Sequence, residues 1–426
     1  MADEKKNEEI IDVKAEVVDV EAEVVDVKAE VIEKKKVFIT NMQAPGDVLQ
    51  LSAAIRDLVN QHGDKFAVNV STTAMDIWEN NPYLDKNVTE ANCEQIIRSE
   101  YNLIHRSNTH PWHFIHGFRK DLEEKLDIKI EQGEFKADVH LSDAEKGWMS
   151  QIHEITGSDL KYWIIVSGTK SDFTAKAWEV TRYQKLVDHF KDQILFVQVG
   201  ESGHGHPGLR NVIDLRGKTD TRQLIRLIHH SCGIVCGVTF LMHLAPAIET
   251  RSDRTFQTRP AVIIAGGREP AQWEAYPFHQ YMNRCSTLKC CDLGGCWKSR
   301  VQDLKDGDKE KNESVCLRPV TTKSGQVIPK CLDLISAADV IRAVEIYKQG
   351  YEAEGMSFGN DGFKLDDFLS KNPGYDTAKN DNDANACNWL GKIYPQQNKT
   401  QEKVNVAGTP KKPKKVVKPE KEPAKS

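Results

Sequence analysis

The sequence predicts an α/β protein built from two Rossmann-like domains, and three observations carry that prediction. Short apolar runs end in Gly-, Ser- or Pro-containing turns at residues 37–40, 66–70, 162–166, 194–199, 234–235 and 261–265, the pattern of strands buried on both faces. Helical periodicity separates several of them, as in Val48, Leu51, Ile55, Leu58 and Val59, or Leu224, Ile225, Leu227 and Ile228. The chain has 426 residues, enough for two such domains with tails.

Composition removes several function classes. A net charge of −5 predicts no bulk affinity for nucleic acid. No apolar run approaches the roughly 20 residues needed to span a bilayer, and the N-terminus lacks a signal peptide's apolar centre, so the expected location is the cytoplasm. Ten cysteines in a reducing compartment are buried thiols or metal ligands rather than a disulfide framework.

Residues 1–36 form an acidic arm that repeats every seven positions from Ile10 to Glu33. A seven-residue period returns Val17, Val24 and Val31 to one helix face, whereas in a strand an odd period would alternate faces. The arm reads as a helix that could join copies of the chain into a homo-oligomer, or as a disordered arm, since valine is a mediocre helix former.

The first domain, 37–157, opens with a strand, the turn Ala44-Pro45-Gly46-Asp47 and a helix, followed by the strand at 66–70: a βαβ unit. Asp47 stands where an N-cap would accept hydrogen bonds from the helix's first turn. Residues 75–78 read as a helix, 101–104 as a further strand, and 137–145 as a strand into a capped helix. Four histidines between His105 and His116 could bind a metal, but no acidic or cysteine partner stands at ligand spacing, which favours a substrate-binding loop. Gly157-Ser158-Asp159 reads as the linker.

The second domain, 158–350, starts with the strand at 162–166. Its small residues Ser167, Gly168 and Thr169 would allow a phosphate close to the backbone. Lys176 begins a segment with Trp178, Tyr183 and Leu186. A strand at 194–199 then enters the glycine-rich turn holding Glu201. The organising stretch is 217–249: a helix, the strand at 234–235, and a turn through Val238, Thr239, Phe240, Leu241, Met242 and His243 into another helix. Ligands lie at the carboxyl ends of parallel strands and anions at helix N-termini, so a phosphate-bearing substrate belongs at this turn. The Arg-rich residues 250–260 are expected to reach over the sheet edge, and Ser336 with Asp339 to cap a closing helix. Residues 351–426 read as a polar, Lys/Pro-rich, disordered tail.

Taken in order, these segments resemble glycosyltransferase family 9, the heptosyltransferase-like group, from about residue 37 to 346. The family's Gly-Lys-Thr-x-x-x-x-Leu is matched by Gly217, Lys218, Thr219 and Leu224. Its Asp-Thr-Gly-x-x-His-Leu-x-x-Ala turn is matched by Thr239, His243, Leu244 and Ala247, with Val238 in place of the aspartate and Phe240 in place of the glycine. The resemblance implies a GT-B fold: two Rossmann-like domains facing a cleft, acceptor on the first and nucleotide sugar on the second. It implies transfer of a sugar, such as a heptose, from an ADP-heptose-like donor to a hydroxyl of a glycan or protein, with no metal in the chemistry. Asp47 then matches the general base, Lys176 the lysine on the donor phosphates, and Glu201 the glutamate on the nucleoside. Two alternatives stay open: a sugar-nucleotide epimerase, and a non-catalytic binding module, the latter because of Val238 and Phe240.

A final element is cysteine-rich: Cys285, Cys290, Cys291, Cys296, Cys316 and Cys331, with Gly-Gly and Pro turns among them. Tight turns and deprotonated sulfur suit a tetrahedral metal site. Cys296, Cys316, Cys331 and one of Cys290 or Cys291 are the expected ligands of a structural iron or zinc, the alternative being reduced thiols. The cluster resembles that of the heptosyltransferase branch acting on bacterial autotransporters, where it holds iron.

Overall fold

The computed structural model describes residues 33–101, 109, 112–291 and 294–377. The heptad arm before Glu33, residues 102–108, 110 and 111 in the histidine-rich segment, and the Lys/Pro-rich residues from 378 onward lie outside them. Among the described residues no helix is long and apolar enough to cross a membrane. The chain divides into two compact units, one up to Gly147 with Pro246–Glu249, the other Trp148–Ala245 and from Thr250 onward.

In the first unit β1 (Lys35–Asn41), α1 (Pro45–His62) and β2 (Phe66–Thr72) form the predicted βαβ unit. Residues 75–78 make only a short 3-10 turn. β3 (Gln95–Arg98) completes a parallel sheet in the order β2-β1-β3, with Ile39 level with Val70 and Ile97. Val48, Leu51, Ile55 and Leu58 are fully buried, as the helical period requires, and α1 packs against α2 (Ile115–Leu126).

Of the strand expected at 101–104, residues 102–104 lie outside the described residues. After β3 the Ser99 amide bonds Thr40 O at 2.8 Å, and the Glu100 amide turns to the Asp121 carboxylate at 3.0 Å. The Tyr101 ring packs edge-on against Phe114 and Phe118. The strand expected at 137–141 does not form, because side chains of α1 satisfy this backbone instead of a ladder. Ser52 Oγ accepts from the Asp138 amide at 2.8 Å, and Arg56 donates to the carbonyls of Glu134 and Lys136. The capped turn that follows, α3 (Asp143–Lys146), has the expected Ser142 and Glu145 capping box.

The second unit begins with α4 (Gln151–Thr156), which Gly157 ends in the left-handed conformation. Then come β4 (Trp163–Ile165), α5 (Val180–His189), β5 (Phe196–Gln198), β6 (Ile213–Asp214), α6 (Thr221–His229), β7 (Gly233–Gly237), α7 (Phe240–Ala247), β8 (Ala261–Gly266), α8 (Ala271–Glu274) and β9 (His279–Asn283). These strands form one parallel sheet ordered β6-β5-β4-β7-β8-β9, with the reversal of order between β4 and β7. That reversal is the topological switch point at which such sheets bind ligands. Gly233 lets β7 lie against Trp163: a Cβ there would stand 2.4 Å from the indole.

The cysteine-rich segment adds α9 (Lys309–Glu313), the antiparallel pair β10 (Pro319–Thr321) and β11 (Val327–Pro329), and α10 (Lys330–Asp333). α11 (Ala337–Ala353) starts with the expected Ser336 and Asp339 capping box. It packs on α5 and β8, placing Val340, Ala343, Val344 and Tyr351 in a core with Trp163, Trp178 and Phe196.

Two expectations change here. In residues 250–260 two of the arginines turn inward rather than towards a substrate: Arg254 and Arg259 are 2 % and 1 % exposed, Arg254 pairing with Asp159 and Arg259 donating to Ala245 O. The ordered chain also continues past Gly350 to Thr377, through α12 (Leu365–Lys371). Phe358, Phe368 and Leu369 are buried, and Asn360 exchanges two hydrogen bonds with the Lys161 backbone. Apolar anchors spaced among polar residues, invisible to composition, hold this stretch down.

Candidate functional site

The turn after β7 is the chemical centre of the second unit. α7 starts at Phe240, and the first N–H groups of a helix have no carbonyl of their own helix to bond, which leaves them for an anion. Leu241 and Met242 are buried, so they can offer only backbone to a ligand. Thr239 Oγ1 is buried at the same place, beside the buried Cys236 thiol. Val238 is buried too, and its carbonyl receives Lys176 Nζ at 3.3 Å.

Lys176 is therefore at this turn, brought there by a short 3-10 segment, residues 174–176. Its ammonium also pairs with Glu269 Oε1 at 2.9 Å. Glu269 is 3 % exposed and is paired in addition with Arg268. Burial pushes its carboxyl up, but Arg268 and Lys176 outweigh burial and hold it below the usual range, so it is an anion. Neither Arg268 nor Glu269 was singled out from the sequence. The signal available was their position two to three residues past the carboxyl end of β8, the neighbour of β7.

The other candidates have mixed placements. Ser167 Oγ donates to Pro207 O and accepts from Gln198 Nε2, and Thr169 Oγ1 donates to Lys170 O. Both hydroxyls thus serve their own loop. At Gly168 a Cβ would overlap Gly205 O, and Thr169 and Gly205 exchange two backbone hydrogen bonds. The close approach that Gly168 permits is made by the Gly205 backbone. Glu201 is exposed in the turn after β5 and reaches only His204, at 3.3 Å. His206 beside it is buried, and burial first, then His204 and Arg216, hold its ring down at about 4. His243 is 5 % exposed; Nδ1 lies 3.0 Å from the Tyr276 hydroxyl and Nε2 3.6 Å from Glu274. That ring sits beneath the turn as a support, which its helical position after the turn did not disclose.

In the first unit Asp47 lies in the first turn of α1, half-buried, and its Oδ2 accepts from the Ala44 amide at 3.1 Å. A cavity of about 260 Å3 opens at the carboxyl ends of β1 and β3, lined by Met42, Gln43, Arg98, Ser99, Glu100 and Tyr101. Met42 and Gln43 belong to the same β1–α1 turn that Asp47 caps. Ser99 is 2 % exposed, yet among the described residues its hydroxyl has no partner, an arrangement that costs stability unless another group supplies the bond. Nothing in the local pattern singles Ser99 out.

The histidine-rich segment adds no metal site among the described residues. His113 is buried against Phe135, and burial together with Arg119 holds His116 down at about 4.

Cys290, Cys291, Cys296, Cys316 and Cys331 line one small cavity of about 20 Å3, together with Ala175 and Gly267. Burial pushes the Cys331 thiol up to about 12, helped by the nearby Cys296, Cys316 and Cys291 sulfurs. Among the described residues, however, no three His, Cys, Asp or Glu side chains stand closely enough to hold a metal ion. The five cysteines are gathered around one cavity. Nor is the cluster remote from the turn after β7, as expected for a separate structural element: Ala175 is the neighbour of Lys176.

Two parallel-sheet α/β units with a phosphate-type turn at the switch point are what a glycosyltransferase of the GT-B class requires. Residues 100–252 match the family model of glycosyltransferase family 9 (heptosyltransferase), and the protein is a glycosyltransferase. None of the curated proteins compared matches the chain. Similar solved structures include a family 9 glycosyl transferase from Veillonella parvula, 12 % identical over 73 % of this chain and 96 % of that one with a TM-score of 0.49. ADP-heptose LPS heptosyltransferase II of E. coli is 13 % identical over 74 % and 99 %, TM-score 0.45. The dodecameric iron-containing heptosyltransferase TibC, of enterotoxigenic E. coli, in complex with ADP-D-beta-D-heptose, is 15 % identical over 75 % and 78 %, TM-score 0.48.

Proposed function

We propose that the protein transfers a heptose from an ADP-linked donor to a hydroxyl of a glycan or protein acceptor. The observation that carries this reading is Lys176 held at the Val238 carbonyl beside the start of α7, within the stretch that matches family 9. In the proposed reaction Asp47 takes the proton from the acceptor hydroxyl as that oxygen attacks the anomeric carbon. The bond to the diphosphate breaks, and Lys176, the Thr239 hydroxyl and the first amides of α7 offset the charge on the departing group. Val238 costs the turn one acidic side chain but keeps its carbonyl on Lys176. Glu201, exposed beyond β5, is assigned to the nucleoside, and the cavity at Ser99 to the acceptor. ADP-heptose should raise the melting temperature and UDP-glucose should not; equal shifts, or none, would contradict the donor assignment.

We also assign a structural iron or zinc to the cysteine cluster. Cys296, Cys316 and Cys331 line one cavity with Cys290 and Cys291. Cys290 is the better fourth ligand, because the Cys291 thiol is turned to the carbonyls of Leu288 and Arg284 and packs on Gly267. Such an ion would replace burial in fixing a charged segment. Protein purified without added metal should carry about one equivalent of iron plus zinc per chain, the stoichiometry of a closed four-sulfur site. Well under one equivalent, with every thiol freely reactive, would show ordinary cysteines. A cytoplasmic location keeps those thiols reduced, and the heptad arm is assigned to homo-oligomer formation.

A further inference from the structure

The cysteine-rich segment bonds the nucleotide-side loop at several points. The loop 172–176 carries Lys176, and four of its contacts are supplied by residues 299–311. Arg300 Nε donates to Asp172 O at 3.3 Å, and Lys311 Nζ pairs with the Asp172 carboxylate at 2.7 Å. The Val301 amide donates to Thr174 Oγ1 at 3.0 Å, and the Ala175 amide donates to Ser299 O at 3.1 Å. Thr174 is 2 % exposed and Arg300 is fully buried, so the bonds these two make are shielded from water, where they are worth most, while the Lys311–Asp172 pair is partly exposed.

A second set of bonds reaches Lys176 from the other side. The amides of Cys296 and Trp297 both donate to Arg268 O, and Arg268 Nε donates to Lys298 O at 2.6 Å. The Arg268 guanidinium lies over the rings of Phe173 and Trp297, 5.7 Å from each centroid. Its neighbour Glu269 then holds the Lys176 ammonium. A lysine has four rotatable bonds and loses rotamer freedom when fixed, so an ammonium already fixed binds a diphosphate without that loss.

We propose that residues 295–311 form a clamp that presets Lys176 for the donor diphosphate, with Glu269 as a positioning residue. The cysteine cluster and the phosphate site are then one mechanical unit. This rests on the reading of Lys176 as a donor-phosphate contact. The clamp acts on phosphate binding and leaves the nucleoside alone, a separation that a general loss of stability would not give.

The test uses the full chain with ADP and adenosine as probes, their affinities measured by ligand-observed NMR. Thr174→Val removes the acceptor for the Val301 amide, and Lys311→Met removes the half-exposed pair with Asp172, a milder change should the first not fold. Each should weaken ADP by about three- to tenfold, the value of a hydrogen bond or a shielded charge pair, and leave adenosine unchanged. In the Lys176→Ala background neither should weaken ADP further. Additive losses in that background, equal losses for adenosine, or unchanged ADP would overturn the clamp. Unchanged ADP affinity in Lys176→Ala alone would overturn the reading of the phosphate site and the clamp together.

Discussion

Replacing Asp47 by Asn is expected to lower turnover by about 10²- to 10⁴-fold, the contribution of a positioned general base, while the fold and donor affinity stay as they are. The substitution separates chemistry from architecture. Asp47 Oδ2 accepts the Ala44 amide, and an asparagine oxygen can accept the same bond, so the start of α1 keeps its cap. What asparagine cannot do is take a proton. The carboxylate sits at the first βα turn of the first unit, beside the turn whose Met42 and Gln43 line the cavity at Ser99. Steady-state kinetics with saturating donor would measure the effect. Turnover within a few-fold of the parent would leave Asp47 as a helix cap and nothing more.

The second large effect is expected from Lys176→Ala. It should weaken the donor by about 1.5–3 kcal/mol, the worth of a hydrogen bond to a charged group, or roughly 10- to 150-fold in Kd. Glu269 keeps Arg268 as its partner, so the buried carboxylate is not left uncompensated and the second unit should stay folded. Acceptor binding should not change. Calorimetry that gives equal donor affinity for Lys176→Ala and the parent would remove Lys176 from the phosphate site.

Asp47 and Lys176 became candidates through the resemblance to family 9, and each stands in a marked local setting. Asp47 comes just after an apolar strand and opens a periodic helix, and Lys176 precedes the apolar spacing of Trp178, Tyr183 and Leu186. Four strands of the six-stranded sheet, β4, β5, β7 and β8, were legible because they are apolar and buried on both faces, whereas the two-residue β6 and the half-buried, polar β9 were not. What was lost had no local signal. Glu269 and Arg268 meet Lys176 only because β8 pairs with β7, a contact across some ninety residues. Ser99 follows β3, a strand of only four residues with one of them buried, so nothing local marked it. Ser167, Thr169 and Gly168 looked like a phosphate loop because small residues permit close approach to anything. Here the approaching group is the Gly205 backbone.

The most direct test of the account is acceptor-dependent release of ADP from ADP-heptose, followed together with the mass of the acceptor. The account predicts one ADP released for each heptose added to the acceptor, at a rate that collapses in Asp47→Asn. ADP release without any gain of mass on an acceptor, or a heptose altered but never transferred, would contradict it.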